Sequence, residues 1–136
     1  MLDFSDLAVA PIIPVSDRER SLAFYTGLLG IPGQEVPGGY ALFCGGGTIL
    51  FLLSGTDYAG IAEWPVATFE TDRLDEILEL LAARGVSLDA IASGPQQTDE
   101  RGIARLGSTR IVWLRDPDGH VISLFEPAVP TLTREG

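Results

Sequence analysis

The chain has 136 residues, 46% of them hydrophobic, with 9 basic and 19 acidic side chains and a formal net charge of −10. That length suits a single domain burying roughly two-thirds of its unfolded surface, and no apolar run reaches the ~20 residues of a membrane span. The excess of acid argues against nucleic acid or an anionic membrane as partner; it either keeps an apolar-rich chain soluble or draws in a cationic small molecule.

The opening stretch MLDFSDLAVAP carries acids where a secretory signal would carry positive charge. No targeting segment is expected, and a cytoplasmic location is the default. VAPIIPV reads as a first short apolar strand. From Arg18 to Leu29, the residues Leu22, Phe24, Tyr25, Leu28 and Leu29 gather on one side of a helix; Ser16 and Glu19 stand in capping-box spacing and Gly30 supplies a stop. PGQEVPGG has room for only a short strand. YALFC and TILFLL read as strands joined through Gly45, Gly46 and Gly47. Cys44, the single cysteine, lies beside Phe43 and packs as a small hydrophobe; alone it forms no internal disulfide and no cysteine-based zinc site.

WPVATFET opens a second series. Leu74, Ile77, Leu78, Leu81 and Ala82 recur at helical spacing, with Asp72 at the N-cap and Gly85 at the stop. VSLDAIA, RIVWLR and HVISLFE follow as strands, the last two joined by the turn DPDG. Between them SGPQQTDERGIARLG is a polar insert and a candidate lid. Its Asp99, Glu100 and Arg101 are either rim contacts for a ligand or solvated charges.

The chain repeats itself. Superposing the helix starts pairs Ser16 with Asp72, an offset of 56 that also pairs Ala10 with Val66 and Leu22 with Leu78. Gly47–Phe51 pairs with Gly119–Ser123 at an offset of 72. The expectation is an α+β domain over 1–136. Two βαβββ modules, about 7–55 and 62–127 with a tail at 128–136, form a curved mixed sheet around a cup, helices on the outer face.

VSDRERSLAFYTGLLGI, FETDRLDEILELLAARGV and RIVWLRDPDGHVISLFEP together resemble the glyoxalase/bleomycin-resistance/dioxygenase superfamily, the vicinal oxygen chelate fold. The resemblance runs from about Leu7 to Pro127 and is specific for fold rather than activity. It implies pairing into a homodimer. In metal-dependent members, His and Glu ligands project from the first and last strands of each module, positions that fall here on Ala10, Phe51, Val66 and Ser123. None is an imidazole or a carboxylate, and their neighbours Val9, Pro11, Leu50, Leu52, Pro65, Ala67, Ile122 and Leu124 offer no donor either. The family metal is expected to be missing, and no other cofactor is implied.

Strand alternation places Ala10, Ile12, Ile49, Phe51, Leu53, Trp64, Val66, Thr68, Val121, Ser123 and Phe125 on the cup face. It places Val9, Ile13, Val15, Leu50, Leu52, Ala67, Phe69, Ile122 and Leu124 beneath the helices. The candidate ligand contacts are Ala10, Ile12, Phe51, Trp64, Val66, Thr68, Ser123 and Phe125, a mostly aromatic and apolar set suited to a flat or cationic compound. The alternative is that these side chains fill a core or a subunit interface. His120, the single histidine, is read as a turn or surface residue. Asp72, Asp75, Glu76 and Glu79 belong to the cap and wet face of the second helix, which leaves Glu63, Glu70 and Glu126 as acid–base candidates. Two functions follow: a metal-free protein that sequesters a small molecule, like the bleomycin-resistance branch, or a lyase or isomerase with a non-standard active site.

Overall fold

Residues 4–55, 57, 59–60, 64–90 and 97–129 are described by the computed structural model. The chain divides into two units, Met1–Ala59 and Gly60–Gly136. The first contains β1 (Ile12–Val15), α1 (Arg18–Leu22), β2 (Gly33–Val36), β3 (Gly39–Phe43) and β4 (Ile49–Ser54). The second contains β5 (Pro65–Glu70), α2 (Leu74–Ala83), β6 (Ala104–Leu106), β7 (Thr109–Arg115) and β8 (Val121–Glu126). Each unit carries its own four-stranded sheet, ordered β1-β4-β3-β2 and β5-β8-β7-β6.

The repeat read from the sequence is present down to the register. β1 runs parallel to β4 with Ile12 opposite Phe51, and β5 runs parallel to β8 with Thr68 opposite Ser123. These are the same pairing, displaced by the two offsets of 56 and 72. In each unit the remaining pairs are antiparallel and open with a two-residue hairpin loop, Pro37–Gly38 and Gly107–Ser108. Both loops carry glycine at positive φ, +84° at Gly38 and +60° at Gly107, as tight hairpins require.

One face of each sheet is covered. In the first, Ile13, Val15, Leu50 and Leu52 are buried while Ile12 and Ile49 are exposed. The Arg18 guanidinium bonds Glu35 at 2.8 Å and lies 5.7 Å from the centre of the Tyr40 ring. Glu35, Tyr40, Leu52 and Ile13 form one cross-strand row, so α1 covers that face. In the second sheet, Val112, Leu114, Ile122 and Leu124 are buried on the face where α2 meets Glu126. Burial alternates cleanly only in the first sheet, where Val9 and Ala10 precede β1 and are exposed; in the second, Ala104, Trp113, Val121 and Ser123 on the opposite face are buried as well.

Several local expectations are corrected. Asp17, not Ser16, caps α1, its Oδ1 accepting from the Arg20 amide at 3.1 Å. The helix then loosens into a π-helical turn over Ala23–Leu28. The wider turn moves later side chains off the α-helical stripe, leaving Phe24 and Tyr25 buried and Leu28 exposed. Asp72 caps nothing: α2 starts at Leu74, and its free amide is met by Glu126 Oε2 at 2.9 Å from the last strand. Of VSLDAIA, Leu88 makes only an isolated bridge to Leu114, and 91–96 lies outside the described residues. The strand beside β7 is instead β6, drawn from the segment read as a polar insert.

Candidate functional site

The face of the second sheet opposite α2 is set by three rows. Thr68, Ser123 and Trp113 stand opposite one another across β5, β8 and β7. Glu70, Phe125, Ile111 and Ala104 form the next row, and Val121 pairs with Arg115 beyond. Ala104, Trp113 and Val121 pack into a buried cluster with half-buried Ile111 against it. Burial falls toward the β5 edge: Trp113 is 7% exposed and Ser123 5%, whereas Thr68 is exposed. At that boundary the Ser123 hydroxyl donates to Thr68 Oγ1 at 2.7 Å.

The expected contacts divide between the units. Thr68, Ser123 and Phe125 come together on the second sheet. Val66 falls where the register shifts between Pro65 and Ala67; this bulge interrupts the alternation used to place it and Trp64. Trp64 precedes β5 and is 66% exposed. On the first sheet, Ile12 and Phe51 stand opposite each other in a row with Ala41, and Ala10 lies outside the strand. Trp113 and Ile111 lie on β7, to which the pattern of ligands on first and last strands does not extend. Counting outward from the DPDG turn, Arg115 against Val121, would have placed Trp113 opposite Ser123.

The charged rim residues sit elsewhere. Asp99 Oδ1 accepts from the amides of Arg101 and Ile103, both at 2.9 Å, and these bonds, Ile103 first, hold its carboxyl below the usual carboxylate range. Arg101 reaches Asp75 on α2 at 3.1 Å, and Arg110 bonds both Asp75 and Glu126 on that covered side. The turn borders a cleft of about 510 Å³ lined by Leu78, Leu81, Val86, Leu88, Glu100 and Arg101. Glu126, once a candidate acid or base, is held low first by the Leu74 amide and then by Arg110. Glu76 pairs with Arg73. Glu63 lies outside the described residues.

His120 is not at the surface: it is 1% exposed, and its Nε2 accepts from the Gly60 amide at 3.2 Å. Asp116, Asp118 and His120 bring ligand atoms within 4.8 Å of one another. Of these, Asp116 Oδ1 shapes the turn, accepting from the backbone amides of Asp118 (3.0 Å) and His120 (2.8 Å). Cys44 is half-buried just past β3, and burial pushes its thiol pKa up.

Residues 7–124 match the Glyoxalase/Bleomycin resistance protein/Dioxygenase superfamily. The chain belongs to that superfamily. Among solved structures it is similar to TnmS3, an antibiotic binding protein from Streptomyces sp. CB03234, at 27% identity and TM-score 0.66 over 90% of this chain and 96% of that one. A glyoxalase/bleomycin resistance protein from Catenulispora acidiphila is 27% identical with TM-score 0.65, over 91% and 99%. A glyoxalase/bleomycin resistance protein/dioxygenase from Alicyclobacillus acidocaldarius shares the fold at 14% identity and TM-score 0.67, over 91% and 93%. No curated protein matches by sequence.

The superfamily's metal does not fit the residues at its positions. Ile12 stands opposite Phe51, and the one oxygen donor of the set, the Ser123 hydroxyl, is bonded to Thr68. An alanine, a phenylalanine, a valine and a neutral hydroxyl do not make a divalent-metal site.

Proposed function

We propose that this superfamily member is a metal-independent binding protein that sequesters a flat aromatic or cationic small molecule. Its site is the face of the second sheet opposite α2, on its β5 side, where exposed Thr68 and half-buried Phe125 and Ile111 are backed by buried Ser123 and Trp113. The observation that carries the reading is the substitution of ligating groups by an apolar, aromatic surface broken by one hydroxyl pair and, at its β5 edge, Glu70, the composition of a small-molecule site. The likeness to TnmS3 supports it, and the net charge of −10 favours cationic rings. The protein acts as a cytoplasmic homodimer.

A thermal-shift screen of planar aromatic compounds, neutral and cationic, tests this directly. A true ligand at a hundredfold excess over its Kd stabilises the fold by about 2.7 kcal/mol, and Phe125→Ala weakens that response. A screen without a stabilising compound overturns the reading. So does stoichiometric Fe, Mn, Ni or Zn in elemental analysis of the purified protein. Light scattering on a sizing column tests the dimer.

A further inference from the structure

We infer that Thr68 and Ser123 set the specificity of this face, selecting a flat aromatic molecule that carries a hydrogen-bond acceptor such as a ring ketone. The inference rests on the ligand-binding reading above and deepens it.

The argument is a count of hydrogens. Two hydroxyls carry two donor hydrogens. One is used in the 2.7 Å bond from Ser123 to Thr68. Among the described residues, neither side chain makes another hydrogen bond. One hydrogen is therefore left over, and reversing the direction of the internal bond leaves the same count. In the observed direction it belongs to Thr68, the exposed end of the pair. Water satisfies it while the face is open.

The surroundings decide what a ligand must offer. Trp113 stands opposite Ser123, while Phe125 and Ile111, half-buried, occupy the adjoining row. A ring system lying on Phe125 and Ile111 displaces the water at Thr68. If its edge carries a carbonyl oxygen, the hydroxyl exchanges one acceptor for another. A pure hydrocarbon leaves the donor without a partner, which costs affinity. The pair therefore acts as a filter within a surface that otherwise binds by area alone.

Equilibrium dialysis of the full chain against 9-fluorenone and fluorene isolates the carbonyl, since the two ring systems share shape and size. The expected result is fluorenone bound about three- to tenfold more tightly by the natural sequence, the yield of one neutral hydrogen bond. In the double variant Thr68→Val, Ser123→Ala the two affinities converge, with fluorene binding retained as proof of an intact site. Equal affinities in the natural sequence overturn the inference and leave the binding reading standing. A preference that survives in the double variant also overturns it. Binding of neither compound overturns both. If the double variant does not fold, the comparison on the natural sequence still decides.

Discussion

Glu126 shows how one side chain ties strand, helix and charge together. One carboxylate oxygen meets the Leu74 amide and the other meets Arg110, which also holds Asp75. Glu126→Ala removes the cap and leaves the half-buried guanidinium with Asp75 alone. A loss of about 1–3 kcal/mol is expected, read as a lower midpoint in urea unfolding. Glu126→Gln keeps an acceptor for Leu74 and loses less. Equal stability of both variants and the natural protein would show that the network contributes nothing. None of this was legible in the sequence, because capping rules look within a few positions and this cap comes from 52 residues away. The environment of His120 was hidden for a similar reason: its ring nitrogen meets the amide of Gly60, 60 residues away in the chain. Phe51 and Ser123, by contrast, needed only the resemblance and a count of four from the turn glycines Gly47 and Gly119, and they stand at matching places in the two sheets.

At the scale of elements, the period-two pattern separated covered from open faces in the first sheet, whereas β8 is buried on both faces from Val121 to Leu124. It failed on two other strands as well. β6 is three residues, Ala-Arg-Leu, too short to show a period; the signal was the Gly107–Ser108 turn that folds it onto β7. β5 was long enough, but its bulge breaks the alternation between Pro65 and Ala67. The helix ends moved by one or two residues, and the π-helical turn after α1 left no trace in composition. Close approach also constrains the strands. Gly39 on β3 faces the backbone of Leu52 on β4 so tightly that a Cβ there would meet the Leu52 carbonyl. Gly39→Ala is therefore expected to destabilise the first unit by about 1–3 kcal/mol through overpacking. Its signature is faster amide exchange in β3 and β4, with β7 and β8 unchanged; exchange unaltered in β3 and β4 would contradict this register.

For the whole molecule, the surplus of acid and the folded-state carboxylates act in opposite directions. Asp75, Glu126, Asp99 and Glu35 all titrate below their usual range in the folded chain, held by arginines or backbone amides. A depressed folded pKa means the unfolded chain binds protons first. The stability from these groups is therefore present above the ordinary carboxylate range and is lost as pH falls through their folded values. Unfolding midpoints measured from pH 7 downward are expected to hold until the ordinary carboxylate range, about 4, and then decline. A midpoint that rises through that range would mean that relief of the net charge of −10 outweighs the specific pairs.

The cap on α2 also sets an order of events during synthesis. All four strands of the first sheet have been made at Ser54, when β1 can close against β4. The second helix is complete at Ala83, yet its first amide waits for Glu126. As the chain emerges from the ribosome, α2 stays frayed at its start until β8 threads in beside β5, the slow, long-range closure of this unit. A nascent chain halted before Glu126 therefore offers proteases a loosened second module beside a finished first one.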